Sequence, residues 1–495
     1  MGRKEKLVIK ELKTEEVFID KRELGYYSTP DYICDYIKER LLEINNKGES
    51  ILDPCCGKEE MLNPFKGSKI KSYGMDIFKY KEEYNCIYKK GDFIEFYFSN
   101  LDKDKSVKSL EYDYYVLNPP YNCHEVDYIK NNKTLLKGYF GEVGIQNMYL
   151  IFISSIIDLA KEGALIGIIT NDSFLTAKSY KNFREKILKS CSIHEITMCP
   201  NDTFHKEGAD VRTSILILQK GVRFQSKVVV NNRSKDAIEL KKIFDLKSGS
   251  RNKCFLEDII LNNKEDNKEF LIGCPKQVKA LFNNERLGNR YKCISGISTG
   301  NDKLYLSKEK VYPYTIDFYK NPGKDKFYTN KRLFINEDFL SISKDVTNFI
   351  VRNKDLLFKS GIICSSMGVE FSAAKLEENS TFGVNSAVIC SDEESYFLLS
   401  YLNSTLVTYL VRGVLNRSNM ITSGYISRIP IIKFNKDQKE RLIALGKLGY
   451  KRSKNNEDIK EVLIEIDKII NNFINLKEEN IKYINNFRNN LVKLT

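Results

Sequence analysis

Apolar residues in the first 220 positions fall into short, nearly continuous runs: residues 51–52 (Ile-Leu), 114–117 (Tyr-Tyr-Val-Leu), 164–169 (Ala-Leu-Ile-Gly-Ile-Ile) and 215–218 (Ile-Leu-Ile-Leu). Runs this short and this uniformly apolar read as strands covered on both faces. Between them, residues 31–37 and the stretch opening at 144–150 carry apolar side chains at helical spacing. Strand and helix in alternation predict an open α/β sheet, with ligands bound where strands end in tight turns. Residues 221–285 are rich in Asn, Lys and Asp and hold only short apolar runs such as Phe270-Leu271-Ile272, the pattern of a linker with an adapter element. Further on, residues 396–404 read as a mostly apolar helix. Val462, Leu463, Ile466, Ile469, Ile470 and Phe473 then form one stripe at helical spacing, so residues 436–495 read as helices packed on the region before them.

The ends of the predicted strands carry the candidate chemistry. Asp53-Pro54-Cys55-Cys56-Gly57 follows the first strand as a tight, glycine-containing turn. About 20 residues on, the spacing at which a ribose hydroxyl pair is gripped, a second strand ends in Asp76-Ile77. Asp92-Phe93 adds another acid with an aromatic neighbour, suited to accept an adenosyl amino group and pack its ring. Asn118-Pro119-Pro120-Tyr121 then ends the 114–117 run. An Asn side-chain oxygen and a proline-flanked carbonyl are adjacent acceptors for an exocyclic NH2, and a Tyr ring stacks on a planar base. Two acceptors on its hydrogens favour the tetrahedral geometry an amino nitrogen needs when it attacks a methyl donor. A plain strand-ending Asn-Pro turn is the competing reading, and the ordered series of motifs before the tetrapeptide favours the amino-group holder.

Taken together, these motifs resemble the S-adenosylmethionine-dependent DNA adenine-N6 methyltransferases of the γ arrangement, especially the Taq-type enzymes with a C-terminal target-recognition domain. Gly25-Tyr26-Tyr27-Ser28-Thr29-Pro30 is similar to the family motif that caps the methionine end of the cofactor, with Thr29 expected as N-cap of the next helix and Pro30 in its first turn. The resemblance implies a Rossmann-like catalytic domain with a mixed seven-stranded sheet over residues 1–220. A linker at 221–285, an α+β DNA-specificity domain at 286–435 and C-terminal helices at 436–495 would follow. It implies S-adenosyl-L-methionine as cofactor, held by Tyr27, Thr29, Pro30, Asp53, Pro54, Gly57, Asp76, Ile77, Asp92, Phe93 and Asn118. Asn118, Pro119, Pro120 and Tyr121 would act on N6 of a flipped-out adenine in double-stranded DNA. Phe204, which precedes the 215–218 strand, is expected near the face of the base opposite Tyr121; covering a sheet edge is its competing reading. Residues 294–303 resemble the opening of a recognition domain, which makes Ser298, Thr299, Asn301 and Lys303 candidate DNA contacts, with Arg417 in a later polar loop. One departure stands out. The family writes its turn Asp-Pro-x-x-Gly-x-Gly, and here Glu59 replaces the second glycine, where positive φ or close backbone approach suits glycine. Weak cofactor binding, a compensating loop and a degenerate enzyme are the three possible consequences.

Charge adds an independent argument. Residues 1–220 carry 33 Lys and Arg against 34 Asp and Glu, while 221–495 carry 46 against 32. The positive excess therefore lies wholly in the second half, as a phosphate-binding module would have it, whereas a merely Lys-rich genome would load both halves. The best membrane candidate, residues 148–170, is interrupted by Asp158, Lys161 and Glu162. Twelve cysteines without a Cys-x-x-Cys pair and three scattered histidines, His124, His194 and His205, argue against a metal site and a disulfide framework. The expectation is a reduced, cytoplasmic, metal-free enzyme, monomeric on DNA, with a cognate restriction endonuclease left open as a partner. A methylation-dead recognition subunit and a methyltransferase acting on RNA or protein glutamine remain as alternatives. Asn at the first position of the tetrapeptide favours adenine over cytosine.

Overall fold

The computed structural model describes residues 27–102, 106–121, 127–204, 211–221, 227–368, 370–415 and 420–491, with the backbone of 6–10 and 16–20. Two compact units divide the chain, Met1–Gly273 and Cys274–Thr495. In the first unit, β1 (Lys6–Lys10) and β2 (Glu16–Asp20) pair antiparallel. A mixed sheet holds β3 (Ser50–Asp53), β4 (Lys71–Asp76), β5 (Ile87–Lys90), β6 (Tyr114–Leu117) and β7 (Leu165–Asn171). It continues with β8 (Cys191–Met198), β9 (Thr213–Lys220), β10 (Val228–Asn231) and β11 (Lys253–Cys254). Their spatial order is β11-β10-β8-β9-β7-β6-β3-β4-β5.

Among the described residues this sheet has nine strands rather than seven. Strands β3 to β9 fall where a seven-stranded core was expected, and the extra pair comes from the stretch read as a linker. Val228, Val229 and Val230 are buried; Val229, Val230 and Asn231 pair parallel to β8, and Lys253-Cys254 closes the edge antiparallel to Val228 and Val229. Three β-branched residues are too short a run to announce a strand on their own, but they bury fully once β8 offers its edge.

Side chains alternate along the strands into two cores. Leu52, Tyr115, Leu117, Ile166 and Ile168 face one layer, which includes α2 (Phe93–Ser99) and the apolar helix α3 (Met148–Leu159). Ile51, Tyr114, Val116, Leu165 and Ile169 face the other, where α1 (Asp31–Ile44) packs with Phe65 and Phe244. Thr29 is not the cap of α1. Pro30, with φ −59° and ψ 137°, occupies that position, and its carbonyl accepts the N–H of Ile33 at 2.9 Å and of Cys34 at 3.2 Å. The extended ψ of Pro30 sets Thr29 one residue too far out to reach the first turn.

A buried ionic cluster fastens α1 to the sheet. Glu195 on β8 is fully buried and accepts Arg40 Nε, Tyr36 Oη and Thr197 Oγ1, each at 2.6 Å.

In the second unit, Lys292–Ser295, Gly361–Cys364, Ala373–Leu376 and Ser386–Ile389 form a four-stranded antiparallel sheet. Leu306–Ser307, Tyr314–Tyr319, Arg332–Asn336 and Thr381–Phe382 form another. Helices α4 (Asp392–Leu402), α5 (Lys436–Lys454), α6 (Lys460–Phe473) and α7 (Glu478–Leu491) follow. Gly446 lets α5 lie against α4 so closely that a Cβ there would sit 2.0 Å from the carbonyl oxygen of Tyr396. Val462, Ile466, Ile469 and Ile470 of the α6 stripe are buried, and Asp467 accepts the N–H of Thr405 at 2.8 Å. No helix among the described residues is long and apolar enough to cross a membrane.

Replacing Arg40 with Ala removes the only counter-ion that reaches Glu195 among the described residues and leaves a buried carboxylate. The expected loss is about 3 kcal/mol, read as a lower urea midpoint with unchanged slope.

Candidate functional site

Strand β3 pairs with β4 on one side (Asp53 opposite Gly74) and β6 on the other (Leu52 opposite Tyr115), so strand order runs in opposite directions from this point. The crevice beyond the carboxyl ends of two such strands is where open α/β sheets take ligands. Both candidate turns leave the sheet there. Cys55 Sγ of the first lies 3.6 Å from the Asn118 carbonyl of the second. Gly57 adopts φ +52°, and its N–H donates to Asp76 Oδ2 at 2.9 Å. Asp76 Oδ1 accepts Phe78 N at 3.1 Å, and Asp53 Oδ1 accepts Cys55 N at 3.0 Å.

The Asn118 amide is held in one orientation. Its Nδ2 donates to the Tyr27 carbonyl at 2.8 Å and to Thr29 Oγ1 at 2.9 Å. A carbonyl can only accept, so the nitrogen must face Tyr27 and the oxygen must face away. That oxygen accepts Tyr121 Oη at 2.5 Å, and the same hydroxyl lies 3.3 Å from the Ile169 carbonyl. Burial pushes the Tyr121 phenol well above its ordinary value, which keeps it protonated and a donor.

Around this amide the rings differ from expectation. Tyr27 stacks on Tyr121 with centroids 5.8 Å apart and planes at 20°. Phe204, only 1% exposed, meets Tyr121 edge-on at 6.5 Å and 78°. The ring facing Tyr121 is therefore Tyr27, which the sequence placed on the cofactor side. An aromatic two residues before Thr29 was the only signal, and a weak one.

Residues 18–272, just over half of the chain, match the family model described as N-6 DNA Methylase. The chain belongs to that family. It is similar to the Type II methyltransferase M.BanIII of Aneurinibacillus aneurinilyticus, 27% identical over 246 residues. That match covers 43% of this chain and 42% of the relative, so the chain spans less than half the length of that protein. In fold it is similar to the Type IIL restriction-modification enzyme MmeI, solved in complex with DNA, with a TM-score of 0.60, 10% identity, and coverage of 96% of this chain and 80% of that one. A nuclease-deletion mutant of the Type ISP restriction-modification enzyme LlaGI, in complex with a DNA substrate mimic, gives a TM-score of 0.54 at 14% identity, covering 86% of this chain and 55% of that one.

Within this N-6 DNA Methylase fold, the departure at Glu59 has a compensating loop. Glu59 takes the positive φ itself, at 70°, and is 1% exposed. Its carboxylate accepts the Cys86 N–H at 2.7 Å and Asn85 Nδ2 at 3.3 Å, and pairs with Lys81. A left-handed non-glycine residue costs about 1–2 kcal/mol, while a hydrogen bond to a charged group contributes about 1.5–3, so the three partners outweigh the strain. Burial raises the Glu59 pKa, but Lys81 and the N–H groups of Cys86 and Asn85 prevail and hold it below its ordinary value. Neighbouring Glu60 accepts Ser28 Oγ at 2.9 Å, joining the turn to the segment before α1.

The other carboxyls crowd the crevice. Burial, tempered by the N–H groups of Gly57, Phe78 and Ile77, leaves Asp76 at about 6. Burial and the nearby carboxyls of Asp76 and Glu60 raise Asp53 well above the usual range despite the Cys55 hydrogen bond. Ile77, 47% exposed, offers an open apolar surface next to Asp76. Asp92 and Phe93 depart from expectation. Asp92 Oδ1 caps α2 by accepting Ile94 N at 2.7 Å, and Oδ2 accepts Tyr128 Oη at 2.8 Å. Phe93 is 2% exposed and packs on Phe152 at 5.2 Å, which leaves no open ring face.

Among the candidates in the second unit, Ser298 pairs with Ile350 in a strand. Thr299 is 4% exposed and donates to Asp302 at 2.5 Å, so it shapes the turn. Asn301 and Lys303 are exposed. Arg417 lies outside the described residues.

Glu59→Gly relieves the strained φ but loses all three partners, with an expected net loss of about 2 kcal/mol. Because the Glu59 pKa is depressed in the folded state, its contribution is present above its ordinary 4.5 and fades as pH falls through the lower folded value. The gap in urea midpoint between wild type and Glu59→Gln should therefore shrink below about pH 4.5, and a gap that widens there would contradict the assignment.

Proposed function

We propose that this chain is a DNA methyltransferase that moves the methyl group of S-adenosyl-L-methionine to N6 of an adenine extruded from duplex DNA. The observation that carries this reading is the Asn118 amide, locked by Tyr27 and Thr29 with its oxygen turned out beside Tyr121. An amide so fixed is a preorganised acceptor.

The crevice fits the cofactor by charge. Asp76 and Glu60 raise the pKa of Asp53, and Glu60 adds to the burial that raises Asp76, so the site gains from a cationic ligand. S-adenosylmethionine carries a sulfonium and an ammonium. Ionised Asp76 would accept the ribose hydroxyls, Ile77 would cover the cofactor's adenine, and Thr29, Pro30, Pro54 and Gly57 border the same turns. Asp92 and Phe93 would contribute by setting the start of α2 instead of touching the adenosyl group. When bound, the cofactor supplies an electrophilic methyl group. The chain does the rest. Asn118 Oδ1 and the Pro119 carbonyl accept the two N6 hydrogens, Pro120 holds the turn with φ fixed, and Tyr121 stacks on the base. Extrusion costs a few kcal/mol of unstacking, which contacts with this pocket offset.

Duplex DNA is supported as substrate by charge and by kinship. The first unit carries a net +2 and the second a net +11, and exposed Asn301 and Lys303 lie on the second. A basic module joined in one chain to a near-neutral catalytic one suits phosphate neutralisation. The similar enzymes MmeI and LlaGI were solved with DNA or a DNA mimic.

Tritium transfer from labelled cofactor onto DNA tests the reading. Asn118→Ala is expected to cut transfer by roughly 10²–10³-fold or more with DNA affinity nearly intact. Near-wild-type transfer by that variant would refute the site. Cofactor affinity should weaken below about pH 6, where Asp76 protonates, approaching about tenfold per pH unit, as followed by calorimetry. Affinity that rises on acidification would remove Asp76 from the cofactor site.

A further inference from the structure

Two tyrosines outside the motifs, Tyr84 and Tyr88, join the glycine turn to the segment that carries Asp76. Tyr88 stands on β5, where it pairs with Gly74 of β4, and its hydroxyl donates to the Phe78 carbonyl at 2.9 Å. Tyr84 stacks on it, with centroids 4.0 Å apart and planes at 7°. The Tyr84 hydroxyl bonds in both directions: it accepts the Tyr80 N–H at 2.9 Å and donates to the Gly57 carbonyl at 3.1 Å. Burial pushes its pKa up to about 12, so the donor proton stays in place. The Gly57 N–H is taken by Asp76 at 2.9 Å, so both backbone polar groups of this positive-φ glycine are fixed.

We propose that Tyr84, oriented by its stack on Tyr88, is a positioning residue for the cofactor: through the Gly57 carbonyl it holds the glycine turn in its binding-competent shape against the segment that carries Asp76 and Ile77. This rests on the methyltransferase reading. A turn built on a left-handed glycine has other conformations open to it, and whatever fraction of molecules adopts them is lost from the apparent affinity. Glu59, two residues on, is fixed by Lys81, Asn85 and the Cys86 N–H. A carboxylate cannot bind a carbonyl, so the Gly57 oxygen needs a donor, and Tyr84 supplies it. Lys81, the partner of Glu59, also lies 5.4 Å over the Tyr84 ring. Both braces on the turn therefore come from one loop, residues 77–86. A phenylalanine at position 84 would keep the stack and supply neither hydrogen bond.

Calorimetric titration of the full chain with S-adenosylhomocysteine, the demethylated cofactor, reads the effect. Tyr84→Phe should raise the dissociation constant roughly five- to twentyfold. Tritium transfer at saturating cofactor should stay within about twofold of wild type, because the hydroxyl bonds only backbone and the turn regains its shape once the cofactor is seated. Tyr114→Phe is the matched control. Its hydroxyl also joins one carbonyl, of Asn45, to one N–H, of Gly48, but at the amino end of β6. That variant should lower the urea midpoint as Tyr84→Phe does and leave cofactor affinity alone. Affinity in Tyr84→Phe equal to wild type overturns the proposal, and so does an equal loss of affinity in Tyr114→Phe, which would mark a general structural effect. Where Tyr84→Phe does not fold, Tyr88→Leu removes the ring that orients Tyr84; it should weaken binding in the same direction, and unchanged affinity there overturns the proposal as well. A wild-type chain that binds no S-adenosylhomocysteine refutes the methyltransferase reading itself, and the positioning role falls with it.

Discussion

Strand β3 hydrogen-bonds to β4 on one side and β6 on the other, and the chain winds outward in opposite directions from it. Everything at the candidate site depends on that pairing. Two turns remote in sequence, Asp53–Gly57 and Asn118–Tyr121, must leave the sheet from adjacent strands at the same edge, and no helix can cover the crevice where the winding reverses. The two cores on either side of the sheet hold β3 and β6 in register. The Glu195 cluster keeps α1 against the sheet, so that Tyr27 and Thr29, just before that helix, reach Asn118.

Hydrogen bonding at this edge is economical. One amide, that of Asn118, ties the tetrapeptide to the segment before α1 through its nitrogen and to Tyr121 through its oxygen. Glu60 joins the same segment to the glycine turn, and Glu59 joins that turn to the residues before β5. Where the family motif writes a second glycine, this chain fixes the turn by charge. The strained φ of Glu59 persists because its surroundings over-determine it, a pattern expected at functional turns.

The site's apolar part obeys a different logic. Hydrogen bonds set where Asn118 points, but ring packing sets what may stand before it. Tyr27, Tyr121 and Phe204 pack faces and edges together, held by dispersion and stacking.

Much was legible from the sequence alone. The apolar runs marked β3, β6, β7 and β9 because strands buried on both faces must be continuously apolar, and β4 was marked by the acid that ends it. The turn residues after them were recognisable because their chemistry is local. Membership of the N-6 DNA Methylase family and the charge imbalance between the halves were also written in the primary structure. Other features were decided by tertiary structure. Val228–Val230 became strand only because β8 presented an edge. Thr29 turned from helix cap to Asn118 acceptor across 89 positions of chain, and Tyr27 faced Tyr121 because the Asn118 amide reaches its carbonyl across 91. Glu59 could replace glycine only because Lys81, Asn85 and Cys86 meet it in space. Strand runs and turns are encoded by neighbours in sequence, whereas the partners of a buried polar atom and the face of a ring are chosen by residues that meet only when the sheet has formed.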